Sequence, residues 1–244
     1  KKLTKNFKDH KYDYVVNLAA QAGVRYSITN PDTYFDNNIS GFYNILQVSK
    51  KFKIKHLIFA STSSVYGDQN KWPLKESFNT DKPLSFYAAT KKVNEVMAYS
   101  YSNIYKLPCT GLRFFTIYGP YGRPDMALFK FVDNIYNNKK IELFNNGDHI
   151  RDFTHVDDVV NVISSSIIKT PTNKPPINTY NIASSKPEKI TTFLKYIEKA
   201  LGITAKVKKM NFQKGDVYKT SGNIGRVKKI FKFKPSKTLK DGIV

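Results

Sequence analysis

Short apolar runs alternate along the chain with longer segments in which apolar side chains return every three or four positions. That alternation predicts buried strands joined by amphipathic helices. Tyr14-Val-Val-Asn-Leu18 reads as a strand, and Pro31 to Lys50 as a helix opened near Asn30. Lys55-His-Leu-Ile-Phe-Ala-Ser61 is the next strand. Ser85 can cap a long helix whose apolar positions Val93, Val96, Met97, Tyr101 and Ile104 recur at helical spacing. Thr110 to Phe115 follows as a strand, and after Pro120 the texture changes to a Gly/Pro-containing loop. A helix near Ala127 to Asn137, a strand at Ile141 to Phe144, a helix from about Val156, a strand near Asn178 to Ile182 and a helix from Thr191 to Leu201 come next, before a polar, basic tail. Strands separated by helices imply a parallel sheet covered by helices. No internal repeat or low-complexity linker interrupts the pattern.

With 244 residues, 41% of them hydrophobic and 14% aromatic, the chain can bury a sizeable core as one domain or two closely joined lobes. No run of eighteen apolar residues occurs, and Lys1-Lys2-Leu3-Thr4-Lys5 leads into no apolar signal core, so a cytoplasmic protein without a membrane partner is expected. Cys109 is the only cysteine, and His10, His56, His149 and His155 show no zinc-like spacing, so no metal is expected. The net charge of +21 raises the question of a polyanion partner. Lysines are spread over the whole length with no nucleic-acid-binding pattern beside them, so nucleic acid is not the expected partner. Of the 40 basic residues, five are Arg: Arg25, Arg113, Arg123, Arg151 and Arg226. In so lysine-rich a chain, an Arg suggests a place that needs a planar, bidentate donor.

Tyr87 and Lys91 stand four apart in the first turns of the long helix, so both project from one face. A lysine ammonium there favours the phenolate and lowers a tyrosine pKa that is near 10 when free, which suits an acid-base tyrosine. Spacing alone is weak, because 16 Tyr among so many Lys give about two such pairs by chance, and Tyr136 with Lys140 is the second. Order along the chain separates the two pairs. The strand ending Phe59-Ala60-Ser61 runs directly into Thr62-Ser63-Ser64-Val65-Tyr66-Gly67, and parallel α/β sheets place ligands at the carboxyl ends of their strands.

Ala60-Ser-Thr-Ser-Ser-Val-Tyr-Gly67, Tyr87-Ala-Ala-Thr-Lys91 and Leu112-Arg-Phe-Phe-Thr-Ile-Tyr-Gly-Pro120 together resemble the active-site frame of extended short-chain dehydrogenases/reductases that act on nucleotide sugars, the NAD-dependent epimerase/dehydratase family. The likeness extends from about Tyr14 to Asp216. It implies a Rossmann-like, doubly wound parallel sheet at residues 1–118 and a smaller substrate-binding lobe at 119–244, with about 151–184 returning to the main sheet. It also implies Thr62, Tyr87 and Lys91 as catalytic residues. Ala19, Ala20, Gln21, Asn38 and Ser61, with Tyr87 and Lys91, would bind NAD. Ser63, Ser64, Thr116, Arg123, Arg151 and Asp216 would bind a UDP-sugar. A homodimer of the full-length protein, through the Tyr87 helix and the one before it, is implied as well.

The family's opening strand, Gly-rich turn of GxxGxxG type and helix are absent, and the first strand already resembles a middle strand of the sheet. The chain is therefore expected to be truncated by roughly 60 residues or more, with a final helix missing after Gly242-Ile-Val244. Ser63 and Ser64 occupy positions where related dehydratases and decarboxylases carry carboxylates, which implies 4-epimerisation. Gly122-Arg123-Pro124-Asp125-Met126-Ala127 and Gln21-Ala-Gly-Val-Arg-Tyr-Ser27 resemble the glucuronate epimerases more than the neutral-sugar ones. Arg123 then either meets the C6 carboxylate or ties down its loop. Arg25 either lines the site or packs, Arg113 is expected to be structural, and Tyr136 with Lys140 superficial. The alternatives are a UDP-glucuronate decarboxylase or another nucleotide-sugar enzyme, a catalytically dead homologue, or a basic polyanion-binding protein.

Overall fold

The first three predicted strands pair side by side in one parallel sheet. The computed structural model describes residues 1–213 and 215–243; Lys214, and Val244 of the Gly242-Ile-Val run, lie outside the described residues. Two compact units are present, the first built from Lys1–Asn70, Glu76–Phe114 and Val162–Asn181.

Along the first unit run α1 (Lys2–His10), β1 (Tyr14–Asn17), short helices α2 (Tyr26–Thr29) and α3 (Pro31–Tyr34), α4 (Gly41–Lys51), β2 (His56–Thr62), α5 (Phe86–Tyr105) and β3 (Cys109–Phe114). The sheet order is β1-β2-β3-β7, where β7 is Ile177–Ile182. β2 is central and buried nearly throughout, as expected of a parallel strand covered on both faces. Its register places Asn17 opposite Phe59 on one side and Ser61 opposite Arg113 on the other. The core joins Phe7 of α1, Phe42 and Leu46 of α4, Leu57 and Phe59 of β2, Ala98 of α5 and Cys109 of β3.

The single helix expected from Pro31 to Lys50 is broken. Pro31 opens α3 at its first position, and residues Phe35–Ser40 form a π-helical turn before α4 begins. A π-turn inserts one residue and shifts every later side chain around the axis, and such turns gather at functional sites. The π-turn places Asn38 in the interior, at 1% exposure.

The second unit comprises Lys71–Lys75, Phe115–Asn161 and Ile182–Val244. It contains β4 (Thr116–Tyr118), α6 (Ala127–Tyr136), β5 (Lys140–Phe144), β6 (Ile150–His155), β8 (Pro187–Lys189), α8 (Ile190–Leu201), β9 (Lys206–Met210) and α9 (Gly225–Phe231); α7 spans Val156–Ile167. β6 pairs in parallel with β4 and antiparallel with β8, while β5 pairs with β9. Phe153 of β6 stacks on Phe193 of α8 with centroids 4.5 Å apart, inside a core that also holds Tyr118, Phe131, Ile141 and Leu239. The expected basic tail is thus structured in part, since β9 and α9 lie within it. Among the described residues no helix is long and apolar enough to cross a membrane.

Candidate active site

The strand end at Thr62 is shaped by its own backbone. Thr62 is extended and caps the 3-10 turn Ser63–Tyr66, its Oγ1 accepting from the Ser64 N–H at 3.2 Å and lying 3.2 Å from Ser64 Oγ. Gly67 ends that turn at φ +63°, and a Cβ there would fall 2.2 Å from the Lys82 carbonyl oxygen, so only glycine allows the two backbones to approach. The Thr62 hydroxyl thus has Ser64 beside it, through both its N–H and its Oγ.

Ser85 starts α5, its Oγ accepting from the Ala88 N–H, as the sequence predicts. Tyr87 and Lys91 follow one turn apart, in the partly buried and fully buried classes respectively. Lys91 is 3% exposed, and its ammonium donates to the Ala60 carbonyl at 3.0 Å. Burial pulls its pKa down to about 8. An ammonium has three donors, so one bond to Ala60 leaves capacity for further acceptors such as ribose hydroxyls and a phenolate. The Tyr87 ring meets Tyr34 edge-on, with centroids 6.1 Å apart.

Residues after β1 complete this side. Ala19 is exposed and Ala20 half-buried, offering flat backbone for close approach. Asn38 grips Gln21 through both polar atoms: Oδ1 accepts from the Gln21 N–H at 2.8 Å, and Nδ2 donates to the Gln21 carbonyl at 2.9 Å. Its other Nδ2 proton goes to Thr90 Oγ1, and Asn94 Nδ2 donates to the Asn38 carbonyl. Both amide donors are spent on protein, so Asn38 fixes the loop after β1. Tyr34 secures the same loop, its hydroxyl within 3.0 Å of the Ala22 carbonyl and 2.6 Å of the Gly23 carbonyl. Nothing in the helical periodicity separates Tyr34 from a core tyrosine, and sequence reasoning missed it.

Ser61 points inward, its hydroxyl donating to Glu95 Oε1 at 2.6 Å. Glu95 also receives Arg113 in bidentate fashion, Nε to Oε1 and Nη2 to Oε2, each at 2.8 Å. Burial works against the Arg113 charge, but the hydrogen bonds and charge of Glu95 outweigh it, so the guanidinium stays charged. Tyr66 lies against Arg113, and burial pushes its phenol up to about 12, leaving it a neutral donor to Asn181 Oδ1 at 2.6 Å. Glu95, too, escaped the sequence reading, although it stands on the same helical face as Tyr87 and Lys91.

In the second unit, Thr116 opens β4 opposite Phe153. Arg123 forms a bidentate pair with Asp125, lowering that carboxyl's pKa, so its guanidinium braces the exposed stretch 120–125. Arg151 donates to the carbonyls of Ile150 and Tyr218. Asp216 sits in a turn whose backbone N–H donates to Gln213. A cavity of about 360 Å³ lies beside this turn, lined by Phe144, Met210, Asn211, Phe212 and Gln213 with Lys209. Asp152, fully buried, was not foreseen: it accepts from the N–H groups of Ser184, Ser185 and Gly222 and from Ser184 Oγ. Among the described residues no group of three or more His, Cys, Asp or Glu side chains is placed to hold a metal ion.

Comparison with known proteins adds the following. Residues 1–183 match the model of the NAD dependent epimerase/dehydratase family. Protein CapI of Staphylococcus aureus is 50% identical over 99% of the chain and 76% of its own length. The UDP-glucuronate 4-epimerase of Thermodesulfobacterium geofontis is 39% identical over 97% of the chain and 72% of that relative. Among solved structures, the UDP-glucuronic acid 4-epimerase from Bacillus cereus in complex with UDP-glucuronic acid and NAD is similar with a TM-score of 0.92 at 29% identity, covering 100% of the chain and 76% of that structure.

Proposed function

The chain belongs to the NAD dependent epimerase/dehydratase family, and on that premise we propose that it inverts C4 of UDP-glucuronate to give UDP-galacturonate. The observation that carries this reading is the set of groups around Thr62. Its hydroxyl has Ser64 for a neighbour, and the carboxylate that reaches the strand end, Glu95, is held by Arg113 and Ser61. Such a site can move a proton and orient a C4 oxygen, but among the described residues the carboxylate at this strand end, Glu95, is already paired and not available for eliminating water.

The partly satisfied Lys91 ammonium, the small side chains of Ala19 and Ala20 after β1 and the clamped Gln21 backbone fit a nicotinamide nucleotide. NAD, held there, would supply a two-electron acceptor and donor for the hydrogen on C4. Tyr87, as phenolate, removes the O4 proton in the forward half and returns it in the reverse half, so neither protons nor electrons are consumed. Thr62 hydrogen-bonds the same oxygen, and Lys91 favours the phenolate. Turning over of the 4-keto sugar between the two half-reactions would present its opposite face and so invert C4. That intermediate is a β-keto acid, so the C6 carboxylate must be oriented against loss of carbon dioxide. In this reading Ser63, Ser64 and Thr116 contact the sugar, and Arg123 exchanges Asp125 for the sugar carboxylate. Arg151 and Asp216 take the diphosphate and ribose, and the cavity lined by Phe144 and Phe212 takes the base.

Product analysis tests the assignment. With NAD and UDP-glucuronate, the protein made from its complete coding sequence is expected to form UDP-galacturonate, and UDP-xylose as the main product would overturn it. A pH dependence follows from Lys91. Its ammonium is present below about pH 8 and lost above it, so kcat is expected to fall as pH rises through that value. A Lys91→Met variant should show low kcat without that alkaline limb, and a parent rate that stays flat up to pH 10 would contradict the role.

The same reading includes a homodimer. Val96, Tyr99 and Ile104 of α5 are each more than half exposed, and Tyr43 of α4 is 46% exposed, an apolar face of the kind that a second copy covers. The location proposed is the cytoplasm. The product is an activated sugar donor for polysaccharide-building transferases.

A further inference from the structure

The buried Glu95–Arg113 pair and the Ser61 hydroxyl lie behind the catalytic groups, touching none of the reacting atoms assigned above. We propose that Ser61, Glu95 and Arg113 are positioning residues that hold the hydroxyl of Thr62, on β2, in register with the phenol of Tyr87, on α5. The inference rests on the 4-epimerase reading and extends it from the groups that react to the groups that place them.

Tyr87, Lys91 and Glu95 stand four apart on one face of α5, so they form a column along the helix. Two members of that column bond consecutive residues at the end of β2: Lys91 reaches the Ala60 carbonyl, and Glu95 the Ser61 hydroxyl. The next residue of the strand is Thr62. Those two bonds fix how far the helix is slid along the strand, and so how Tyr87 stands to Thr62. Arg113 then locks Glu95. It is the register partner of Ser61 on the adjacent strand β3, and its two bonds to Glu95 hold the carboxylate in a single orientation.

The remaining contacts of Arg113 run to the turn that carries the serines. Its guanidinium lies 4.8 Å from the centre of the Tyr66 ring, at the end of the Ser63–Tyr66 turn. Nη1 is 3.4 Å from the Glu76 carbonyl, while Glu76 Oε1 accepts from the Asn181 N–H, and Asn181 Oδ1 receives the Tyr66 hydroxyl. The network thus joins β2, β3, β7, α5 and the 3-10 turn in one buried set of bonds. Lysine would satisfy charge at position 113 but not these contacts, because a point charge has neither a bidentate fork nor a flat face.

Ser61→Ala is the informative change, since it cuts the network next to Thr62 while leaving Glu95 paired with Arg113. Arg113→Lys serves as the second variant, and Ser61→Thr, which restores a hydroxyl, as the rescue. Each is compared with the parent for UDP-galacturonate formation, KM, the pH profile of kcat and thermal unfolding. For Ser61→Ala we expect kcat to fall about 10-fold at unchanged KM, since small misplacements in a proton-transfer geometry cost up to about 10²-fold. The acidic limb of the kcat profile, set in this reading by Tyr87, should also shift to higher pH, as Tyr87 loses part of its support from Lys91. Ser61→Thr should restore both values. The position of that limb does not depend on how much protein is folded, so a general loss of stability leaves it in place. A parental limb in a folded Ser61→Ala or Arg113→Lys protein overturns the inference, as does a kcat loss that Ser61→Thr fails to rescue. If instead the parent makes no UDP-galacturonate, the 4-epimerase reading itself fails, and the two failures are told apart.

Discussion

Replacing Tyr87 by Phe is expected to lower kcat for C4 epimerisation by about 10²–10⁴-fold, with KM within a factor of about two. The substitution keeps the ring, and with it the edge-on contact to Tyr34, and removes the oxygen to which the proposed mechanism assigns the O4 proton. Lys91 remains bonded to Ala60, so the backbone around the site has no cause to move. Initial rates of UDP-galacturonate formation check this, and a variant retaining more than a tenth of the parental kcat would remove Tyr87 from the chemistry. A tyrosine that only packs against Tyr34 would pass such a test unharmed.

Asp152→Ala is expected to cost on the order of 3–5 kcal/mol of stability. The carboxylate is fully buried and receives three backbone N–H groups and a serine hydroxyl from two separated segments, 184–185 and 222. Removing it leaves the buried donors of Ser184 and Gly222 without their acceptor, away from water. Burial raises the Asp152 pKa even against these bonds, a sign of how dry the position is. Gly222 cannot retreat to find another partner, since it is wedged against Ala183 and Phe115, where a Cβ would fall 2.6 Å from the Ala183 methyl. Trp72, the single tryptophan of the chain, provides the probe. Its Nε1 donates to the Lys219 carbonyl and its ring lies under the Lys219 ammonium, within the segment that Asp152 anchors. Urea unfolding followed by Trp72 fluorescence should show the midpoint falling, and a midpoint that stays put would show that the donors find other acceptors.

The parts of this molecule that were legible in the sequence share a physical cause. β2 is buried on both faces, so its apolar run is continuous, and the Ser85 cap with the Tyr87–Lys91 spacing is a local signal set within two turns of one helix. The less legible parts depend on contacts that spacing cannot express. Glu95 and Arg113 meet across 18 positions, and Asn38 reaches Thr90 across 52. The π-turn that buries Asn38 carries no signature in apolar periodicity, which is why a single helix was expected there. β9 went unseen because four of its five residues face water, three of them lysines, and such a strand reads as a polar loop. Arg123 was left open between two roles, and its bidentate pair with Asp125 gives the loop-holding role a concrete partner while leaving exchange with a substrate carboxylate to experiment.

The path of the chain through its two units bears on how the protein is made. The polypeptide passes from one unit to the other five times, and the first unit is not complete until residues 162–181 have been added to the earlier segments. β7, which closes the sheet beside β3, comes from that late stretch. During synthesis, at about 5–20 residues per second, β1, β2 and β3 must therefore wait several seconds beside the ribosome for β7, with the backbone groups on that edge of β3 unpaired and the apolar faces of the sheet incompletely covered. A chaperone that shields apolar surface during that interval would raise the yield of folded protein, whereas one acting only after release would come too late for this step.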